Sequence, residues 1–154
     1  MPICFESYYS FSEIYNFSKS SYSGKDFIET IRLSRLNSSL FSSEGSILCE
    51  FYFSLIYKYH CSVTFKISGK VQLLCQRCLE PFFHYINENA QYILLESDQA
   101  SLVESDGKDI LIVSEEGLNI AVLIEDELIL SLPIIASHKK NIECGSLADK
   151  ISKY

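Results

Sequence analysis

The clearest pattern in the chain is an alternation of apolar and polar residues through its middle. Apolar side chains recur at every second position over residues 47–55 and again over residues 61–67. A period of two is typical of a strand that buries one face and exposes the other. Residues 71–75 and 82–95 are predicted as further strands, with a bend or bulge at residues 68–69. Together these segments predict an antiparallel β meander.

The period changes toward the end of the chain. Four aliphatic residues fall near helical spacing: Leu118, Val122, Leu128 and Leu132. This spacing predicts one amphipathic helix over residues 118–132, packed on the sheet. Asn119 is its expected N-cap, and Pro133 is expected to end it. The fold class predicted from both patterns is α+β.

The other segments carry weaker signals. Residues 12–17 fit a short helix capped by Ser12, and residues 26–36 fit a strand or a mixed segment. A polar stretch over residues 97–108 predicts a loop, followed by a short strand over residues 110–113. We find no internal repeat and no linker, so residues 1–154 are interpreted as a single domain.

Length and composition agree with one globular domain. The 154 residues are 47% hydrophobic and 21% charged, which is enough apolar material for a core. Ten tyrosines and ten phenylalanines favour strands.

The chain is acidic, with a formal net charge of -7 from 13 basic and 20 acidic residues. This balance argues against broad, phosphate-driven nucleic-acid binding, which needs many lysines and arginines. A basic partner protein or a local RNA contact is compatible with it. The N-terminus lacks the pattern of a secretory signal, and no run approaches the roughly 20 apolar residues of a membrane span. We therefore expect a cytoplasmic protein with reduced cysteines and no membrane partner.

Four residues form a candidate metal site. Cys75 and Cys78 make a C-x-x-C at the predicted turn between two strands, and His138 and Cys144 lie close together after Pro133. Three thiolates and one imidazole would complete a tetrahedral Cys3His site, the usual form of structural zinc. Such a site leaves no open position for a catalytic water.

Two other interpretations of these cysteines stay open. Cys75 and Cys78 can be unligated packed thiols, as Cys49 and Cys61 on the apolar faces of strands are expected to be. They can also form a redox pair, although the turn does not open a helix after a parallel strand as that chemistry prefers.

An acidic run lies on the predicted helix. Glu125, Asp126 and Glu127 are consecutive, so they spread around the helix and cannot converge on one metal or substrate. They form either a solvated acidic face or a docking surface for a basic partner.

Two runs of residues resemble the signatures of the bacterial YceD family. Residues 75–82, CQRCLEPF, resemble the central signature, and residues 123–135, LIEDELILSLPII, followed by His138 and Cys144, resemble the second. The resemblance covers roughly residues 45–145. Ala136 departs from it, since relatives usually have proline there.

The resemblance implies a role in the synthesis, processing or stability of 23S ribosomal RNA, and it strengthens the zinc hypothesis. It favours a non-enzymatic ribosome-biogenesis factor that contacts a large-subunit ribosomal protein or a 23S rRNA precursor. Arg77, Lys139 and Lys140 are the candidate RNA contacts, with a merely solvated basic cluster as the alternative. The competing hypothesis is an enzyme, either a thiol oxidoreductase or an rRNA-processing nuclease.

Overall fold

A computed structural model describes residues 4–57, 60–96 and 109–138, and a five-stranded sheet lies at the centre of this part of the chain. Its strands are β2 (Ser23–Glu29), β3 (Ser46–Ile56), β4 (His60–Leu74), β5 (Pro81–Leu95) and β6 (Asp109–Ile112), in that spatial order. Strands β2 to β5 pair antiparallel. The α+β class and the antiparallel meander are thus confirmed. Strand β6 differs, because it pairs parallel to β5.

The expected interruption at residues 68–69 is wrong, since β4 runs unbroken. Gly69 lies opposite Ile47 in the β3–β4 register. A Cβ at position 69 would lie 3.0 Å from Cδ1 of Ile47. The glycine therefore permits a close approach between the strands and does not mark a bend.

Three helices and a second, two-stranded sheet complete the described part. The helices are α1 (Phe11–Lys19), α2 (Ser34–Asn37) and α3 (Ile120–Ser131), and a single 3-10 turn covers Thr30–Arg32. The small sheet pairs β1 (Tyr8–Tyr9) with β7 (Leu118–Asn119). None of the described helices is long and apolar enough to cross a membrane.

The first helix is longer than expected and has a different cap. It begins at Phe11, and Ser10, not Ser12, accepts a hydrogen bond from the backbone N–H of Glu13 at 3.3 Å. The side chain of Glu13 in turn accepts from Ser10, which completes a capping box. The mixed character predicted for residues 26–36 is confirmed, because β2 gives way there to the 3-10 turn and α2.

Helix α3 is confirmed, together with its cap at Asn119, whose Oδ1 accepts from the N–H of Val122 at 3.1 Å. Its buried face was predicted only in part. Leu128 is buried as predicted, but Val122 is exposed, and Ile120 and Leu123 are buried instead. Leu118 belongs to strand β7, so it does not share a helical face with Val122.

The helices lie on one face of the sheet and form the core with it. On this inner face, the ring of Phe17 in α1 lies 5.6 Å from that of Phe53 in β3, and Phe65 in β4 is fully buried. The opposite, outer face carries the alternate residues of each strand. Residues 97–108, predicted as a loop, lie outside the described residues.

Candidate metal centre

The two cysteines of the C-x-x-C lie on a tight connection between β4 and β5, which we call the knuckle (residues 75–80). Its ends are joined because the N–H of Cys75 donates to the carbonyl of Glu80 at 2.9 Å. Within it, the N–H of Leu79 donates to the carbonyl of Cys75 at 2.8 Å. Leu79 has a φ of 61°, an unfavourable value for a residue with a side chain. This left-handed residue turns the chain back toward β5 directly after Cys78.

The segment after α3 returns to the knuckle. The N–H of Gln76 donates to the carbonyl of Ala136 at 2.8 Å, and the Arg77 guanidinium donates to the carbonyl of His138. The ring of His138 packs against Phe82 with centroids 5.0 Å apart. Proline at position 136 would leave the accepting carbonyl in place, so the departure at Ala136 costs no hydrogen bond here.

These contacts bring three of the four predicted ligands together. The donor atoms of Cys75, Cys78 and His138 all lie within 4.8 Å of one another, and Cys78 Sγ is 3.5 Å from His138 Nδ1. Both cysteines are buried. Ligands that share one tetrahedral zinc are roughly 3.3–3.8 Å apart, given bonds of about 2.0–2.3 Å. The three donors therefore fit a zinc ion with only small adjustments.

The electrostatics of the knuckle favour a thiolate at Cys75. Burial raises the pKa of this thiol, but hydrogen bonds outweigh burial and lower the pKa from 9.0 to about 5. The donors are backbone N–H groups of Cys78, His138 and Arg77, together with the His138 side chain. Several N–H groups aimed at one sulfur stabilise its negative charge. Thiolate is the form that binds a metal.

The fourth predicted ligand and two predicted RNA contacts lie outside the described residues: Cys144, Lys139 and Lys140. Their roles stay predictions. The third predicted RNA contact, Arg77, is half-buried, with its guanidinium directed to the carbonyl of His138. An open groove of about 810 Å³ borders the knuckle and runs along the edge of β5, from His138 to Phe83 and Tyr85.

The expectation of a solvated acidic face is wrong for Glu125, which is buried and only 6% exposed. Its carboxylate is 2.7 Å from Nε of Arg35 and also accepts from the backbone N–H groups of Arg35 and Leu36. The same guanidinium is 2.7 Å from Asp126. Hydrogen bonds to Asp126 and Glu125 raise the pKa of Arg35. These carboxylates join α3 to α2, a contact that the sequence did not indicate.

The third carboxylate of the run also has an internal partner. Glu127 accepts a hydrogen bond from the hydroxyl of Tyr92 in β5. Burial raises the pKa of Glu127, and the negative charge of Glu88 raises it further. The docking role of the acidic run stays a prediction, but each of its members has a contact within the fold.

Two other cysteines have the structural role that was predicted for them. Cys49 and Cys61 are fully buried in the core between the sheet and the helices. Burial raises the pKa of both thiols, to about 12 for Cys49. They are inert neutral side chains and provide internal controls for the knuckle.

Comparison with protein families gives a match that covers the candidate site. The model of the family described as large ribosomal RNA subunit accumulation protein YceD matches residues 63–151. This span includes the knuckle, helix α3 and His138. No solved structure matches the chain.

Proposed function

Because the chain belongs to the YceD family of large ribosomal RNA subunit accumulation proteins, we propose that it is a non-enzymatic ribosome-biogenesis factor. In this role it supports the synthesis, processing or stability of 23S rRNA in the cytoplasm. It does so by contacting a large-subunit ribosomal protein or a 23S rRNA precursor. The family match over residues 63–151 carries the proposal, since the family is named for RNA accumulation and not for a reaction.

The proposed cofactor is one structural zinc ion, held by Cys75, Cys78, His138 and Cys144. Three of these donors are already clustered, and Cys144 follows His138 closely in the sequence. Zinc bound by four protein ligands supplies no catalytic water and acts as a crosslink. Here it would tie the segment after α3 to the knuckle, and so fix the surface that both present.

The buried position of the knuckle thiols argues against a thiol oxidoreductase. Cys75 has the lowered pKa that such an enzyme requires, but Cys75 is 0% and Cys78 is 3% exposed. Thiol–disulfide exchange requires direct attack on an accessible sulfur. A nuclease is also disfavoured, because the described residues contain no cluster of three carboxylates that could hold a catalytic cation.

Alkylation of the thiols separates the metal site from a redox pair. In native protein purified without chelators, we expect Cys75 and Cys78 to react slowly with iodoacetamide, because metal and burial protect them. A chelator removes the ion that ties the segment after α3 over the knuckle, so it should expose both thiols and speed their alkylation at least about 10-fold, while Cys49 and Cys61 stay slow. Peptide-resolved mass spectrometry gives each rate. Fast alkylation of Cys75 without chelator would instead support the oxidoreductase.

Loss of the gene tests the proposed function itself. A deletion strain should show a lowered ratio of 23S to 16S rRNA, restored by the wild-type chain. If the protein were an oxidoreductase or a nuclease with other targets, its deletion would leave this ratio unchanged. The Cys49→Ala variant should restore the ratio as well as wild type, since Cys49 lies in the core away from the knuckle. An unchanged ratio in the deletion strain would overturn the proposal.

A further inference from the structure

The outer face of β4 and β5 differs chemically from the rest of this acidic chain. In the β4–β5 register, Lys70 lies opposite Tyr85, and Lys66 lies opposite Asn89. We call the exposed residues of this region the outer β4–β5 face, and they are Lys66, Lys70, Phe83, Tyr85, Asn87 and Asn89. The face carries two lysines, two aromatic rings and two amides, and none of these six residues is acidic.

The rings on this face are available for contact. Phe83 is 53% and Tyr85 is 74% exposed. Exposed rings of this size on a strand contribute nothing to the core, which lies on the other side of the sheet. Rings on adjacent positions of one sheet face form a flat apolar surface on which a nucleobase can stack.

Positive charge accompanies the rings. The ammonium of Lys70 lies 4.5 Å from the centroid of the Phe83 ring. A cation beside a stacking surface places a phosphate contact next to a base contact. The neighbouring strands add Lys25, Glu50 and Glu29 to the outer face, with Glu50 opposite both Lys25 and Lys66 in the registers. Three lysines against two glutamates make this face positive, whereas the chain as a whole carries -7.

The amides add a further means of recognition. Asn87 and Asn89 are exposed on β5, in the same alternation as Phe83 and Tyr85. An amide both donates and accepts, so it can pair with the edge of an unstacked base. An acidic peptide would use the lysines but would leave the rings and amides without a role. RNA in single-stranded form uses all three groups.

We propose that the outer β4–β5 face binds single-stranded RNA, with Tyr85 and Phe83 stacking on bases and Lys66 and Lys70 contacting phosphates. This inference deepens the proposed function, and it rests on that function for the choice of RNA over single-stranded DNA. It also places the RNA contact on the sheet and not at the predicted cluster of Arg77, Lys139 and Lys140. The groove that borders Tyr85 extends to the knuckle, so a bound RNA would continue along it.

Fluorescence anisotropy with the full chain and a labelled RNA oligonucleotide of about twelve nucleotides tests this inference. We expect Tyr85→Ala to weaken binding about 5-fold or more, and Tyr85→Phe to keep most of the affinity, because it keeps the ring. Lys70→Gln should weaken binding and make it less dependent on salt. Two phosphate contacts with a single strand predict a slope of log K against log[salt] of about -1.4, and the one contact left in the variant predicts about -0.7. Tyr15→Ala on α1 is the matched control, since Tyr15 is an exposed ring on the helical side of the sheet.

Several results would overturn the inference. Equal affinity of Tyr85→Ala and wild type would exclude stacking at this site. Equal binding of duplex RNA would indicate contact with the backbone alone, and equal binding of poly-glutamate would indicate an acidic protein as the partner. If the wild-type chain restores the 23S to 16S ratio but does not bind the single-stranded RNA, this inference is wrong and the proposed function stands. If the chain binds the RNA but the deletion strain has an unchanged 23S to 16S ratio, the proposed function is wrong and the RNA-binding face stands.

Discussion

The Cys78→Ser variant should lose its metal and melt about 10 °C below the wild-type protein. A ligand at 100 times its Kd stabilises the native state by about 2.7 kcal/mol, and structural zinc usually binds more tightly than that. In a domain of this size, each kcal/mol corresponds to about 2–4 °C in Tm. Serine has nearly the same volume as cysteine but is a much weaker zinc ligand. The lower Tm therefore reports the loss of the metal and not a packing defect.

A chelator provides the matched comparison for this variant. Added to wild-type protein, it should lower the Tm by about the same amount, whereas the Cys78→Ser protein should not respond. Cys49→Ala serves as the control, because Cys49 is equally buried but lies in the core away from the knuckle. This variant should keep the full response to chelator. A Cys78→Ser protein that melts like wild type, or one that still responds to chelator, would contradict a stabilising metal at the knuckle.

The Glu125→Ala variant should lower the free energy of unfolding by about 1–3 kcal/mol. The Glu125 carboxylate accepts from the side chain of Arg35 and from two backbone N–H groups at the start of α2. Removing it leaves a cavity between α2 and α3 and leaves the buried N–H of Leu36 without its acceptor, whereas the half-exposed Arg35 guanidinium keeps Asp126. Urea denaturation followed by circular dichroism measures the change.

Glu29→Ala is the matched control for Glu125→Ala. Glu29 also faces an arginine, with its carboxylate 3.6 Å from Arg32, but both side chains are more than 60% exposed. An exposed ion pair of this kind contributes about 0–1 kcal/mol. If Glu125→Ala proves as mild as Glu29→Ala, the link between α2 and α3 is not a stabilising one. The interpretation of the acidic run as a docking surface would then be favoured.

The elements that depend least on distant residues could be predicted from local patterns in the sequence. The period-two alternation over residues 47–67 reflects neighbouring side chains alone, and β3 and β4 follow it. The knuckle was predictable because both cysteines lie in one short connection between strands. Its approach to His138 was also predicted, from ligand chemistry and not from periodicity.

Features that depend on distant partners could not be predicted from the sequence. Glu125 resembles a solvated carboxylate until Arg35 is placed beside it, and 90 residues separate the two. Strand β6 pairs parallel to β5, and its four residues are too few to carry a pattern that separates a parallel from an antiparallel strand. The outer β4–β5 face also depends on pairing between strands, since Lys70 and Tyr85 are 15 residues apart in the sequence and only the register places them opposite each other.

Metal content of the wild-type chain tests the central structural claim most directly. The protein should be purified without chelators and without a nickel column, then analysed by elemental mass spectrometry alongside Cys78→Ser and Cys144→Ser. The four-residue site predicts about one zinc per wild-type chain and little or none in either variant. No metal in wild-type protein would contradict the zinc site and leave Cys75, Cys78 and His138 as a thiol–imidazole cluster without a metal.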